Sequence, residues 1–379
     1  MACEAVRNAL ADAGLDHSEI SGMTSYQGFD SCASKDVGSA LGMRLDYSLD
    51  IIGGGSSTEA LVAHAIGLIE AGYCRNMVIF RSMNGRSGRR PGGQDPGGSA
   101  SMPAIRKIGD FDKTWGFTTP AQHHSLTCMR YMHDYGLTSR HLGEVAVAHR
   151  KHANLNPKAI FYDRPLSMDD YLKGRWISKP FRLFDCCLET DVAAALIVAP
   201  REWAYALKQP PVFIMGGTAR VQAPGASFPW GMPKIHYVGG NYGRKRLFGM
   251  AGVTHDDIDF VSAYDAFTFT SLILLEAFGF APEGEIGPFV EGGTLQIDNR
   301  LPSNLSGGHL SEGYTHGIAM VIENVRQLRH RADDACPGWK EGQHTYDRGK
   351  GCRQLKKAEI AACLAWSFEA QSSAMILRR

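Results

Sequence analysis

The strongest constraint on the fold is a pattern that the chain carries twice. Residues 53–83 run from the turn Gly53-Gly54-Gly55-Ser56-Ser57 into a helical pattern from about Thr58 to Ala71, stopped by Gly72, and then into the apolar run Met77-Val78-Ile79-Phe80. Residues 304–367 repeat that order. The turn Asn304-Leu305-Ser306-Gly307-Gly308 leads to a helix over about Thr315 to Leu328, a polar insertion at about 330–357, and the strand-like Ala361-Ala362-Cys363-Leu364-Ala365. A turn-helix-strand unit cannot bury its own apolar face, so two copies predict two similar α/β halves packed together, placed here at 1–205 and 206–379. Each glycine-rich turn opens a helix whose first N–H groups lack intrahelical partners. The duplication therefore predicts two such helix ends at a site shared by the halves.

Other segments fit around this frame. The chain opens on a helix with Val6, Leu10 and Ala13 on one face and Gly14 as its stop, an opening expected of a chain that starts mid-domain or has its first strand elsewhere. Between the first copy and the strand-like Val192 to Ala199 lies a loop subdomain over about 86–185, rich in glycine, proline and aromatics. It contains two predicted helices, Pro120 to Tyr135 ending at Gly136 and Ser139 to Asn154 ending before Pro157. Pro211-Val212-Phe213-Ile214-Met215 reads as the strand that opens the second half.

Composition removes several function classes. With 40 Lys and Arg against 39 Asp and Glu, nothing draws the chain to a nucleic acid or an anionic membrane surface. The apolar runs fall short of the roughly 18 residues a membrane span needs, and the first residues lack a signal peptide's apolar core. A cytoplasmic location is expected. Nine cysteines without paired C-x-x-C spacing read as free thiols, with neither a disulfide framework nor a zinc site.

The order Gly53-Gly54-Gly55-Ser56-Ser57-Thr58-Glu59-Ala60-Leu61, then Tyr264-Asp265-Ala266-Phe267, then Asn304 to Tyr314 resembles the thiolase superfamily along nearly the whole chain. The branch is that of sterol-carrier-protein-x and lipid-transfer proteins, and Phe184 to Asp191 resembles its steroid side-chain-cleaving aldolases. The resemblance implies an α/β, five-layer α-β-α-β-α architecture with two duplicated halves and an inserted loop subdomain. It also implies a homodimeric core, an acyl-CoA substrate with no cofactor, and a separate small OB-fold and zinc-ribbon subunit in a two-plus-two heterotetramer.

The departures from the family pattern carry the functional reading. The thiolase nucleophile, a cysteine in a pattern like Asn-x-x-Cys-Ala-Ser/Thr-Gly, falls on Gly54, which has no atom to acylate. By spacing alone Gly54 reads better as a tight turn, and a missing side chain there also opens room for a bulky substrate. The family's second and third stations, both histidines, are occupied by Tyr264 and Tyr314. The fourth, a Cys-x-Gly, is not recognisable, and Cys363 is assigned to the core.

An acid–base site without a nucleophile suits retro-aldol cleavage of a 3-hydroxyacyl-CoA, one tyrosine taking the hydroxyl proton and the other reprotonating Cα. A phenol of pKa about 10 needs activation for the first step. The backbone N–H groups of Gly54, Gly55, Ser56 and Ser57, the turn at Gly307 and Gly308, and the Asn304 side chain are the expected binders of thioester and enolate oxygen. Asp265, His309 and His316 are candidates to orient or activate the tyrosines. Arg86, Arg89 and Arg90 are candidates for CoA phosphates. His123, His124, His133 and His141 read as a solvated helix face in preference to a metal cluster. Two other readings stay open: a non-catalytic acyl-CoA or lipid-binding protein, and a thiolase or acyltransferase whose nucleophile has moved to a residue such as Cys186.

Overall fold

The computed structural model describes every residue except 29, 89–113, 118, 225–233, 298, 333–352 and 368–369. Helix α1 (Ala2–Ala13) buries Val6 and Leu10 and ends at Gly14, whose φ of +74° is the left-handed conformation glycine adopts freely. Strand β1 (Gly22–Gln27) follows, then α2 (Ser34–Ala40) and the short strands β2 (Tyr47–Ser48) and β3 (Ile51–Ile52). Helix α3 (Ser57–Glu70) leads to β4 (Met77–Asn84), as the first copy of the repeat predicts.

The expected loop subdomain supplies α4 (Pro120–Tyr135), α5 (Ser139–Ala153), α6 (Met168–Lys173) and the two-stranded β5 (Trp176–Ser178) and β6 (Phe181–Arg182). Strand β7 (Asp191–Val198) then closes the first sheet, in the order β2-β1-β4-β7 with β3 also on β1.

The second half runs through β8 (Phe213–Gln222), α7 (Gly239–Ala251), β9 (Phe260–Ala263), α8 (Thr268–Ala277), the single turn α9 (Gly308–Ser311), α10 (Ile318–Leu328), β10 (Ile360–Ser367) and β11 (Gln371–Arg378). Its sheet order is β8-β11-β10-β9. The duplication is visible in the pairing. In the first half β1 runs parallel to β4 and β4 antiparallel to β7; in the second, β9 runs parallel to β10 and β10 antiparallel to β11. Parallel neighbours need a crossover, and α3 and α10 occur on the two equivalent ones. We propose the junction of the halves at residues 205 and 206, between β7 and β8.

Five layers result. α1 and α2 cover the first sheet, α3 and α10 lie between the sheets, and α7 and α8 cover the second. The alternation of β4 shows why the layers adhere. Val78 and Phe80 join Val6 and Leu10 under α1, while Met77, Ile79 and Met83 point the other way into the core that holds Leu61, Val62 and Ala65 of α3.

Two expectations change. The second central helix starts at Ile318, after Gly317 at φ +99°, because α9 intervenes between the Asn304–Gly308 turn and the helix. The polar insertion expected to be exposed from 330 to 357 lies mostly outside the described residues, and of its last five residues only Lys356 and Lys357 are exposed. Arg353, Gln354 and Leu355 are buried: Arg353 Nε meets Glu323 Oε1 at 3.1 Å and Gln354 donates to Gln327 O at 3.0 Å. A charge can be buried when its partner is buried with it.

Candidate active site

The two tyrosines meet. Tyr264 follows β9, and its N–H donates to Leu364 O of β10 at 2.9 Å. Tyr314 lies between α9 and α10, with its carbonyl accepting from Thr190 Oγ1 at 2.6 Å. Their hydroxyls are 2.8 Å apart, and the residues are only 6% and 8% exposed, so the hydrogen bond forms almost without water. Burial pushes both phenols well above 10, and each is raised further by a neighbour, Tyr264 by Tyr314 and Tyr314 by Cys187. Neither ionises on its own near neutrality.

Asn304, expected to face the enolate, commits its amide oxygen and one of its two amide N–H groups to the frame. At φ +50° its amide clamps Ala263, accepting from the N–H at 2.8 Å and donating to the carbonyl at 2.9 Å. It thereby fixes the last residue before Tyr264. Gly307 and Gly308 are structural too. A Cβ on Gly307 would lie 2.6 Å from Ala153 Cβ, and one on Gly308 would lie 2.2 Å from Asp265 Oδ2. Both have positive φ, so these glycines let α9 close on α5 and on Asp265.

Asp265 and His309 form a buried brace. Asp265 Oδ2 is 2.8 Å from His149 Nδ1 of α5, and Oδ1 accepts the His309 N–H at 2.9 Å. His309 Nδ1 is a further 2.9 Å contact to Oδ1, off the line of a true hydrogen bond. Burial alone would raise the Asp265 carboxyl, but the two histidines outweigh it and hold it far below the carboxylate range. His309 Nε2 accepts the Gly317 N–H at 3.0 Å, which assigns the ring proton to Nδ1. The imidazole stands edge-to-face with both tyrosines, at ring distances of 4.9 and 5.2 Å. Asp265 and His309 thus brace the tyrosine rings and the end of α10, with the Asp265 carboxylate and His309 Nε2 engaged within the protein.

The first-half turn meets them from the other side. Gly55, more than Gly54, is the position that packing forces to be glycine: a Cβ on Gly55 would lie 2.3 Å from Tyr264 Cζ, whereas one on Gly54 would touch Ser367 Cβ at an ordinary 3.9 Å. The Ser56 and Ser57 hydroxyls tie the halves together, Ser56 donating to Ser367 Oγ at 2.9 Å and Ser57 accepting from Arg220 at 2.6 Å. Ser57 N–H is used by Gly54 O, while the N–H groups of Gly54, Gly55 and Ser56 have no partner among the described residues. A Cβ on Gly317 would lie 3.2 Å from Gly55 O, so the ends of α3 and α10 do converge as the duplication predicts.

Sequence reasoning missed Asp30, Arg81, Tyr26 and Glu59 here. Arg81, wholly buried in β4, contacts Asp30 Oδ2 at 2.6 Å and donates to His316 Nδ1 at 3.0 Å. Tyr26 donates its hydroxyl proton to His316 O at 2.7 Å and shares a 2.8 Å bond with Thr58. Glu59, wholly buried in α3, takes the Cys363 thiol at 3.1 Å and is pushed up to about 7 by burial. The available signal was a charge inside an apolar pattern: Arg81 directly follows Met77 to Phe80, and Glu59 precedes Ala60-Leu61-Val62.

Other candidates fall away. Burial pushes the Cys186 thiol up to about 12 and Cys187 well above its usual value, the wrong direction for a displaced nucleophile. His124 is not on a solvated face: it packs 4.9 Å from Phe267 and 4.8 Å from Trp366, and burial lowers it to about 3. His133 and His141 pair separately, with Asp134 and Glu291. Arg89 and Arg90 lie outside the described residues, and the Arg86 N–H donates to Asp191 at 2.9 Å. Surface hollows of about 520 and 360 Å³ exist elsewhere, and neither is lined by Tyr264 or Tyr314.

Residues 242–351 match the family described as "Thiolase C-terminal domain-like". The chain is 38% identical to a 17-hydroxy-3-oxo-4-pregnene-20-carboxyl-CoA lyase from Mycobacterium tuberculosis, across 87% of this chain and 86% of the relative. It is 36% identical to a steroid side-chain-cleaving aldolase from Thermomonospora curvata, across 87% and 85%. Among solved structures it superposes on the Ltp2-ChsH2(DUF35) aldolase with a TM-score of 0.85 at 32% identity, covering 100% of this chain and 91% of that one. Fold and site together define a thiolase-like protein with glycine at the cysteine station and a tyrosine pair at the histidine stations. The chain belongs to the thiolase superfamily, among the steroid side-chain-cleaving aldolases.

Proposed function

We propose that the protein catalyses retro-aldol cleavage of a 3-hydroxyacyl-CoA with a steroid or similar ring system, giving a ketone or aldehyde and acetyl-CoA or propionyl-CoA. The observation that carries the mechanism is the 2.8 Å contact between the buried hydroxyls of Tyr264 and Tyr314. A pair of phenols that resist ionisation serves best as a relay. The β-hydroxyl proton passes to one phenol oxygen, the first phenol's proton to the second, and the second phenol's proton to Cα. The Cα–Cβ electron pair enters the thioester as an enolate and is then captured by that proton, while the Cβ–O bond becomes a carbonyl. No electrons leave or enter, and each tyrosine ends as it began.

The relatives' names support the substrate class: a 17-hydroxyl beside a carbon carrying a CoA thioester is a β-hydroxyacyl arrangement. The unpartnered N–H groups of Gly54, Gly55 and Ser56 favour negative charge at the head of α3. CoA enters as part of the substrate, and the steps drawn require no other cofactor. The two-component title of the solved aldolase supports a separate small subunit, which we assign as an OB-fold and zinc-ribbon protein bound to a homodimeric core in a cytoplasmic complex. No helix among the described residues is long and apolar enough to cross a membrane.

The test is product analysis with the partner co-expressed. Equal yields of ketone or aldehyde and short acyl-CoA from a steroid-side-chain 3-hydroxyacyl-CoA are expected, with turnover insensitive to iodoacetamide. Tight acyl-CoA binding without cleavage across a panel of side chains would favour a binding protein, and loss of turnover on alkylation would favour a displaced thiol.

A further inference from the structure

The relay accounts for the protons but assigns no side-chain donor to the thioester oxygen, where negative charge builds up. Asn304 gives its amide oxygen and one of its two amide N–H groups to Ala263, and His309 Nε2 is an acceptor occupied by Gly317. Beside the tyrosines stands one further imidazole. His316 stands edge-to-face with Tyr314 at 4.9 Å, immediately before the Gly317 that abuts Gly55. Its backbone is in the left-handed region at φ +55°, and the Tyr26 hydroxyl holds its carbonyl at 2.7 Å. A histidine rarely occupies that conformation unless its surroundings impose it.

The ring is held as firmly as the backbone. Arg81 Nη2, itself anchored on Asp30 at 2.6 Å, donates to His316 Nδ1 at 3.0 Å. A guanidinium has no lone pair to offer, so Nδ1 must be the acceptor and the neutral ring must carry its proton on Nε2. Nε2 makes no hydrogen bond among the described residues and is not sealed in the core, since His316 is only partly buried. Asp30, Arg81 and His316 therefore form a chain that crosses the first half and ends in one uncommitted N–H beside the tyrosine pair.

We propose that His316 is a catalytic residue of this site, donating its Nε2–H to the thioester oxygen of the substrate as that oxygen becomes the enolate, with Arg81 and Asp30 as positioning residues that fix its tautomer. A neutral imidazole suits this role: it polarises a carbonyl without giving up a proton that would quench the enolate on oxygen. Burial, and then Arg81, lower the imidazole to about 3, so it stays neutral through the physiological range. The groups acting on it are Arg81, Asp30 and His309, with the uncharged phenols of Tyr26 and Tyr314 alongside. The proposal rests on the retro-aldol reading for its reaction but on local geometry for its tautomer and its ligand atom.

The test separates these two. ¹⁵N shifts of the imidazoles in the full chain, assigned with His316→Asn, should show His316 protonated on Nε2 alone from pH 8 to pH 5; a proton on Nδ1, or double protonation in that range, overturns the proposal. Binding is then compared between a 3-hydroxyacyl-CoA thioester and the thioether analogue that lacks the carbonyl oxygen. Wild type should prefer the oxygen-bearing ligand at least about tenfold, and His316→Asn, which suits the positive φ, should lose that preference while still binding the thioether. An unchanged preference in the variant, or none in wild type, contradicts the donor role even if cleavage is observed. With cleavage active, kcat should fall about 10²- to 10³-fold in His316→Asn with KM little changed. Failure of the aldolase reading would appear as no cleavage by wild type, with the binding preference and the tautomer intact.

Discussion

The two turns that open the central helices share a backbone plan and differ in what they offer a ligand. The first-half turn, Gly53 to Ser57, contributes space and N–H groups: its serine hydroxyls are bound across the junction of the halves, and Gly55 yields its side-chain volume to the Tyr264 ring. The second-half segment, Asn304 to Gly317, uses Gly307, Gly308, His309 and part of the Asn304 amide to hold the frame, and it carries Tyr314 and His316. In the proposed mechanism a thiolase-like frame without its first-half nucleophile keeps its side-chain chemistry in the second half. The difference teaches that duplicated geometry can persist while the two copies offer different groups.

The comparison can be broken most severely at the brace behind the second-half segment. Asp265→Ala leaves His149, His309 and two backbone N–H groups facing an empty acceptor site, and it is expected to cost about 3–5 kcal/mol in denaturant unfolding. A loss under 1 kcal/mol would show that the brace is not structural. Next is the junction beneath the first-half turn. Glu59 has its folded pKa raised to about 7 against 4.5 for the free group, so it stabilises the fold fully below about pH 4.5 and loses that contribution as pH rises through 7. The difference is about 3 kcal/mol by the roughly 1.4 kcal/mol per pKa unit of linkage, and Glu59→Gln should flatten that part of the stability curve.

The two turn glycines then sharpen the comparison. Gly55→Ala forces its Cβ against Tyr264 and the Trp366 carbonyl and should cost about 1–3 kcal/mol as well as most of the turnover. Gly54→Ala meets ordinary contact only and should stay within about 0.5 kcal/mol of wild type. Equal effects at the two positions would mean that the residue at the cysteine station, and not the tyrosine's packing, sets the demand for glycine.

Much of this architecture was legible in the residues. Gly14, Gly72 and Gly136 mark helix ends at the expected places, each with positive φ, because a left-handed stop is a local property. The nearness of Tyr264 to Tyr314 was also legible, since the thiolase resemblance assigns both to stations of one site. Partners that arise from long-range packing were not. Nothing near Asn304 in sequence announces that Ala263 will consume its amide, and nothing near His124 announces Phe267 and Trp366. Arg81 and Glu59 were visible as charges in apolar runs, but their partners Asp30, His316 and Cys363 lie 51, 235 and 304 residues away. Residues that the resemblance assigns to one site therefore lie together in space, while the contacts that engage some of them within the frame are ones that no local pattern encodes.

The most direct measurement is single-turnover cleavage of a 3-hydroxyacyl-CoA by Tyr264→Phe and Tyr314→Phe, with substrate affinity measured alongside. Removing either hydroxyl breaks the proton relay at one link, so each variant should lose about 10²- to 10⁴-fold in rate, and the double variant should lose little more than either alone, while affinity stays close to wild type. Cleavage that survives either substitution within a few-fold would contradict the account.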